Sequence, residues 1–96
     1  MLVLITYDVE TTTKDGRRRL RHVAKQCVNY GQRVQNSVFE CLLEPEQFVK
    51  LRNILEKTID PDKDSLRYYF LGKKWHNKVE HVGAKTSYDP EETFIV

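Results

Sequence analysis

The chain has 96 residues, 40% of them hydrophobic and 31% charged, a composition that excludes a disordered or fibrous protein and fits one globular domain spanning residues 1–96. Its apolar runs are shorter than the roughly 20 residues of a membrane span, and the first lacks the basic start of a signal peptide, so we expect a cytoplasmic protein without membrane contact. Net charge is only +2, but seven basic residues and one acidic residue lie between positions 14 and 33, which favours nucleic-acid contact on one face.

The first two predicted elements are a strand and an amphipathic helix. Residues 2–8 begin with four consecutive apolar residues and end on Asp8, which predicts a central strand that is covered on both faces. In the following segment, apolar side chains recur at helical spacing, with Asp15 as the expected N-cap and Gly31 as the expected C-terminal cap. The apolar stripe of this helix consists of Leu20, Val23, Ala24, Cys27 and Val28.

The segment 32–43 has strand character, but Asn36 and Ser37 interrupt it with residues typical of turns. The pattern predicts a short strand, a reversal and a second strand over 38–43, and a bulge within one longer strand is the alternative. The remaining predicted elements are a helix that starts at Pro45 and ends before Asp60, and strands over 65–71, 79–82 and 93–96.

This order of elements predicts an α+β fold, the ferredoxin-like βαββαβ sandwich, with one or two strands appended at the C-terminal end. In that fold two helices cover one face of an antiparallel sheet. An appended strand can pair with the exposed edge of a second subunit, so we expect a two-fold homodimer.

The cysteines, the histidines and one aromatic segment give weaker signals. Cys27 and Cys41 fall on the apolar patterns without CxxC spacing, which predicts buried thiols and neither a disulfide nor a zinc site. The three histidines are too widely spaced to predict a zinc site. Residues 73–76 combine two lysines with Trp75, which predicts a turn anchored by a partly buried ring, with DNA contact as the alternative.

An arginine cluster at the start of the first helix is the clearest sign of an anionic partner. Charges on an amphipathic helix are most often its solvated face, but Arg17, Arg18 and Arg19 are predicted to occupy the first turn, where the helix dipole disfavours cations. A bound anion would remove this conflict, because backbone N–H groups and guanidinium groups would bind it together. On a helical wheel Arg18, Arg21 and Lys25 lie close together, so they could follow several phosphates of a nucleic acid.

Asp8 is the candidate metal ligand. A carboxylate at the end of a strand often caps a helix or accepts a hydrogen bond in a turn, and a single aspartate is too little for a divalent cation, which needs several oxygens. Glu10 and backbone carbonyls add few ligands within one monomer. If two copies of Asp8 meet near the axis of a dimer, they can hold one cation that polarises a phosphodiester and activates water.

Three segments together closely resemble the CRISPR-associated protein 2 family, the small subunit of the spacer-acquisition machinery. They are Tyr7-Asp8 at the end of the first strand, the arginine-rich start of the helix from Arg17 to Arg21, and above all the run Arg-Val-Gln-x-Ser-Val-Phe-Glu at residues 33–40. The resemblance covers essentially the whole chain and is closest to the variety that accompanies subtype I-C systems.

The resemblance implies a homodimer in which the C-terminal strand of each chain extends the partner's sheet. It also implies an endonuclease that depends on Mg²⁺ or Mn²⁺, with Asp8 of both subunits at the metal. Members of this family are described as cutting double-stranded DNA or single-stranded RNA, whereas others act as a scaffold that holds DNA between dimers of the CRISPR integrase subunit.

Further site residues follow from the family motif by position. Arg33 and Phe39 fall in the motif, and either Arg17 or Arg19 is the helix-borne arginine. Ser37 and Tyr7 lie near the implied site, where they would position water or phosphate, or would satisfy backbone groups. We therefore expect a metal-dependent phosphodiesterase acting on duplex DNA, with a non-catalytic DNA-positioning subunit or an RNA-binding regulator as the alternatives.

Overall fold

The computed structural model describes residues 1–72 and 78–84, which form one sheet and two helices. In chain order the elements are β1 (Leu2–Asp8), α1 (Lys14–Tyr30), β2 (Gln32–Gln35), β3 (Val38–Leu42), α2 (Pro45–Thr58), β4 (Ser65–Leu71) and β5 (Lys78–Gly83). The strand order in the sheet is β2-β3-β1-β4-β5, and each neighbouring pair is antiparallel. The ferredoxin-like prediction is confirmed, with β5 appended beside β4. The turn predicted at residues 73–76 and the strand predicted over 93–96 lie outside the described residues.

β1 is the central strand, because β3 pairs with one of its edges and β4 with the other. Val3, Ile5 and Tyr7 are buried on the helix side, whereas Leu2 and Leu4 on the other side are only partly buried. The central position is confirmed, but the prediction that both faces of β1 are covered is wrong for the described chain. The prediction rests on the run of apolar residues, but Leu2 and Leu4 in that run lie on a face that neither helix covers.

We call this uncovered side of the sheet the open face. Strand alternation and cross-strand register assign to it side chains of β1, β3, β4 and β5. These are Leu2, Leu4, Thr6, Asp8, Val38, Glu40, Leu42, Ser65, Arg67, Tyr69, Leu71, Val79 and His81.

The core lies between the helices and the opposite side of the sheet. Phe48 of α2 packs edge-to-face against Tyr68 and Phe70, with ring centroids 5.4 and 5.3 Å apart. Cys27 and Cys41 are free, fully buried thiols, as the sequence predicts. Neither helix of the described chain is long and apolar enough to cross a membrane.

The apolar stripe predicted for α1 is narrower than expected. Val23 and Cys27 are fully buried, whereas Leu20 and Ala24 are partly buried and pack against the core. Val28 is 55% exposed, because it lies on the flank of the helix that turns away from the sheet. The side chain of Val28 is therefore available to contact water or a partner.

α1 begins earlier than the sequence predicts. Thr13 is the N-cap, and its hydroxyl accepts a hydrogen bond from a backbone N–H of the first turn at 3.0 Å. Asp15 is not the cap but lies within the first turn, where its charge complements the helix dipole. Arg17 consequently ends the first turn and Arg18 and Arg19 lie in the second, so the expectation that all three arginines oppose the dipole is wrong.

The hairpin of β2 and β3 contains both features that the sequence left as alternatives. Asn36 and Ser37 form a turn between the strands, which confirms the reversal. The register shifts between Arg33, which pairs with Phe39, and Gln35, so the short strand also contains an irregularity.

Charged side chains hold β5 against α2. Arg52 of α2 forms ion pairs with Glu80 of β5 and with Glu56, one turn along its own helix, both at 2.8 Å. Tyr68 of β4 donates its hydroxyl hydrogen to Glu56 at 3.3 Å. The appended strand is thus joined to the fold by backbone pairing on the sheet and by ionic contacts on the helix side.

Candidate functional site

Asp8 lies at the end of β1 on the open face, with its side chain exposed. It stands directly opposite Ser65 of β4, and both residues line a surface pocket with a volume of about 320 Å³. We call it the Asp8 pocket, and the other described residues that line it are Thr6, Tyr7, Lys63, Arg67 and Ala84. Among the described residues, the carboxylate of Asp8, the cations of Lys63 and Arg67 and the aliphatic hydroxyl groups of Thr6 and Ser65 therefore line one concave region.

The metal-binding capacity of one chain is limited. Among residues 1–72 and 78–84, no three Asp, Glu, His or Cys side chains are grouped so that they could hold a metal ion. Asp8 supplies an accessible hard oxygen ligand, which suits Mg²⁺ or Mn²⁺. Because these cations need several oxygens, Asp8 fits a metal only where a second carboxylate or substrate phosphates complete the ligand set.

The motif residues gather around the turn between β2 and β3. The guanidinium carbon of Arg33 lies 4.9 Å from the centre of the Phe39 ring, and Nη1 of Arg33 donates to the carbonyl oxygen of Asn36 at 2.9 Å. The Tyr7 ring stacks with the Phe39 ring at a centroid distance of 6.2 Å. The Tyr7 backbone N–H donates to the carbonyl oxygen of Ser37 at 3.2 Å, so β1 and the hairpin turn are directly joined.

These motif residues and Asp8 lie at the same end of β1 but on different faces of it. Tyr7 is buried on the helix side, and its hydroxyl donates to the carbonyl oxygen of Asn36 at 3.4 Å. Burial raises the pKa of Tyr7, so the phenol keeps its proton at neutral pH. The contacts of Tyr7, Phe39 and Ser37 therefore position the end of β1, while the exposed Arg33 is also accessible to an anion.

Arg19 makes internal contacts with Asp64, a residue that no pattern in the sequence singles out. Nε and Nη2 of Arg19 donate to the two carboxylate oxygens of Asp64 at 2.7 and 3.2 Å. Asp64 is fully buried and also accepts the backbone N–H groups of Glu10 at 3.0 Å and Asp60 at 2.9 Å. We call these four residues the Asp64 clamp. It joins the loop after Asp8 to α1 and to the loop before β4.

The charge on Asp64 is stabilised within this clamp. Burial by itself raises the pKa of the Asp64 carboxyl, but hydrogen bonds from Arg19 and from the backbone of Asp60 and Glu10 outweigh it and hold the pKa below its usual value. Asp64 is therefore ionised at neutral pH. Within the described residues, Arg19 is the one of the three neighbouring arginines that pairs with a buried carboxylate.

The other arginines of α1 remain at the surface. Arg17 is exposed, and its Nη1 donates to the carbonyl oxygen of Thr11 in the loop after β1 at 3.3 Å. Arg18 and Arg21 are also exposed, and Arg18 lines a shallow pocket of about 220 Å³ between the helices. Because β1 ends where α1 begins, these cations lie at the end of the sheet that carries Asp8.

Two cations of the Asp8 pocket, Lys63 and Arg67, were also missed from the sequence. Nε of Arg67 donates to Nδ1 of His81 at 3.1 Å. Because an arginine nitrogen can only donate, Nδ1 of His81 must carry no proton, and Nε2 donates to the carbonyl oxygen of Ala84 at 2.8 Å. Only the strand alternation around Arg67 signalled its outward direction, and its proximity to Asp8 depends on a register that the sequence does not reveal.

Comparison with known proteins finds the same family along most of the chain. The family model for CRISPR associated protein Cas2 matches residues 1–79. The chain is 62% identical over 96 residues to the CRISPR-associated endoribonuclease Cas2 of Chlorobaculum tepidum, covering all of both chains. It is 58% identical over 95 residues to the CRISPR-associated endonuclease Cas2 of Halalkalibacterium halodurans, covering 99% of each.

A solved structure gives the same result. The fold matches the crystal structure of Streptococcus pyogenes Cas2 at pH 6.5 with a TM-score of 0.71 and 60% sequence identity. The match covers 79% of this chain and 92% of the other. Sequence and fold therefore point to one family.

Proposed function

The chain belongs to the CRISPR-associated protein Cas2 family, and on that premise we propose that it is a metal-dependent endonuclease of CRISPR spacer acquisition. The proposed substrate is double-stranded DNA, with single-stranded RNA as the alternative. Of the two relatives above, one is named an endoribonuclease, which supports the RNA alternative, and the other an endonuclease, a name that leaves the nucleic acid open. The observation that carries the proposal is the exposed carboxylate of Asp8 in a polar pocket at the end of the central strand.

A homodimer is part of this proposal. The open face contains partly exposed apolar side chains, including Leu2 and Leu4, and Leu42 is 78% exposed. A second copy of the chain would bury these leucines, which lie at the end of the open face away from Asp8, since large apolar patches on monomers usually mark contact sites. The dimer would also supply a second Asp8, and with it a further carboxylate ligand for the metal ion.

Mg²⁺ or Mn²⁺ held by Asp8 of both subunits would polarise the phosphodiester and lower the pKa of the attacking water. The protein's own residues bind and orient the nucleic acid. Arg17, Arg18, Arg21 and Arg33 are exposed and would contact successive phosphates. The Asp64 clamp holds the loop after Asp8, so the carboxylate is presented from a fixed strand end. The free thiols of the core suit the reducing cytoplasm, where we expect the protein to act.

The proposal is tested by replacing Asp8 with asparagine, which keeps the shape of the side chain and removes its charge. The matched control is Glu46→Gln, an exposed carboxylate in the first turn of α2. Duplex DNA and single-stranded RNA are each incubated with Mg²⁺, Mn²⁺ or a chelator. We expect Asp8→Asn to lower cleavage by at least about 100-fold.

DNA affinity should not fall, and the mass of the dimer should be unchanged, in Asp8→Asn, because the exposed arginines and the apolar side chains of the open face are intact. Wild-type cleavage with wild-type metal dependence in Asp8→Asn would refute the catalytic assignment. The nucleic acid that is cleaved with metal, and left intact when the chelator is present, is the substrate of the enzyme.

The ligand-poor surroundings of Asp8 within the described chain favour a second candidate function, a DNA-positioning subunit of the CRISPR integrase complex. This role needs the exposed arginines but not Asp8. Spacer integration that is unchanged by Asp8→Asn and lost on replacing Arg17, Arg18 and Arg21 with glutamine would make the scaffold the main role.

A further inference from the structure

We propose that Arg67 and Lys63 form a phosphate-binding subsite that seats the phosphodiester of the substrate beside Asp8, with His81 as the residue that positions Arg67. This inference rests on the proposed nuclease function and assigns to that site two cations and a positioning residue outside the motif.

The Asp8 pocket contains groups that suit a phosphate. Among the described residues that line it, two cations, Lys63 and Arg67, accompany one carboxylate, Asp8, and such cations favour an anion. Ser65 and Thr6 also line it and carry hydroxyl groups that can donate to phosphate oxygens. An exposed carboxylate without such cations would repel a phosphodiester, and these side chains offset that repulsion.

The sheet register brings Arg67 close to Asp8. Asp8 faces Ser65, and Arg67 is two residues further along β4 on the same open face. Successive side chains on one face of a strand are separated by about 7 Å, a distance that an arginine side chain can cross. A phosphate placed next to the Asp8 carboxylate is therefore within reach of the Arg67 guanidinium.

Arg67 is held in place before any ligand binds. Nδ1 of His81 accepts from Nε of Arg67 at 3.1 Å, and Nε2 of His81 donates to the carbonyl oxygen of Ala84 at 2.8 Å. The backbone N–H of Ala84 in turn donates to the carbonyl oxygen of Asp64 at 2.7 Å. The end of β5 is thus fastened to the residue at the centre of the Asp64 clamp.

Gly83 makes this fastening possible. Its φ of +104° lies in the left-handed region, and a Cβ there would overlap the carbonyl oxygen of Asp64. The glycine lets β5 approach β4 closely enough for Ala84 to bond to both Asp64 and His81. Binding groups held this way lose little freedom when the phosphate arrives, which favours affinity and orientation.

The experiment measures cleavage at saturating metal for Arg67→Gln and Lys63→Gln, with Lys50→Gln as control. Lys50 is an exposed cation of α2 outside the pocket, so its variant has the same change of charge. We expect kcat/KM to fall by about 100-fold for Arg67→Gln and about 10-fold for Lys63→Gln, and to stay within about 2-fold for Lys50→Gln.

Added guanidinium at concentrations too low to denature should partly restore cleavage by Arg67→Ala and leave Asp8→Asn inactive. His81→Phe, which removes the acceptor for Arg67, should raise KM more than it lowers kcat and should gain nothing from guanidinium. An equal response of Arg67→Ala and Lys50→Gln to guanidinium would overturn the assignment of Arg67.

A second readout does not depend on cleavage. Titration of the wild type with inorganic phosphate should shift the backbone NMR signals of Ser65 and Arg67, and Arg67→Gln should abolish these shifts. Asp8→Asn should keep them, because removing the carboxylate lowers the repulsion. Shifts confined to α1, or equal shifts in Arg67→Gln, would refute the subsite.

The two readouts separate the subsite from the function on which it rests. If Asp8→Asn still cleaves nucleic acid, the nuclease assignment of Asp8 fails, and the phosphate titration decides the subsite on its own. If Asp8→Asn is inactive but Arg67→Gln cleaves and binds phosphate like the wild type, the subsite fails and the nuclease proposal stands.

Discussion

Replacing Asp64 with alanine should lower the free energy of unfolding by about 3 kcal/mol. The Asp64 carboxylate is fully buried and accepts two hydrogen bonds from Arg19 and one each from the backbone of Glu10 and Asp60. Removing one partner of a buried ion pair costs about 3–5 kcal/mol, because the remaining polar groups lose their partner. We expect the lower end of that range, since the Arg19 side chain is 16% exposed and can reach water.

Urea unfolding at a fixed protomer concentration measures this effect. With a denaturant dependence of about 1.5 kcal/mol per molar urea, the midpoint should fall by about 2 M. Asp62→Ala, which removes an exposed carboxylate from the same loop, is the matched control and should change the midpoint by less than about 0.5 M. A decrease for Asp64→Ala as small as that of the control would refute the reasoning that the clamp fixes this loop.

Three further predictions concern the charge of Asp64, the close contact at Gly16 and the two buried thiols. Because the folded pKa of Asp64 is lowered, its contribution to stability is present above the unfolded value of 3.8 and is lost as the pH falls through the folded pKa. The difference in unfolding free energy between the wild type and Asp64→Asn, measured by urea unfolding, should therefore become smaller in acid. A difference that grows in acid would contradict this account. Gly16→Ala should lower the melting temperature, although alanine favours helices, because the Cβ of the alanine would overlap the carbonyl oxygen of Glu10. An unchanged melting temperature would contradict that geometry. Burial raises the pKa of Cys27 to about 12 and of Cys41 to about 11. A thiol reagent at about pH 8 should therefore label both cysteines only after urea is added. Rapid labelling of the native protein would show instead that the thiols are accessible.

Elements with a strong local pattern could be predicted from the sequence. The strand ending on Asp8, the two helices and the alternation of β4 each follow from apolar spacing within a few residues. The start of α1 was misplaced because both Thr13 and Asp15 are good cap residues, and only the hydrogen bond of the Thr13 hydroxyl distinguishes them.

The distant contacts could not be predicted. Arg17, Arg18 and Arg19 are indistinguishable by residue type, and only the folded chain shows that Arg19 reaches Asp64, 45 residues away. Arg67 likewise lies near Asp8 only because β1 pairs with β4, and no local pattern in the sequence predicts that pairing. A residue's neighbours across a sheet depend on register, which arises from the packing of the whole domain.

In the turn between β2 and β3, a backbone atom makes the hydrogen bonds that join the turn to its neighbours. The carbonyl oxygen of Asn36 accepts hydrogen bonds from both Tyr7 and Arg33, at 3.4 and 2.9 Å. Both bonds use the backbone, so neither constrains the side chain at position 36. The tip of this hairpin can therefore acquire a new chemical character, and with it a new contact preference, while the aromatic packing beneath it is preserved.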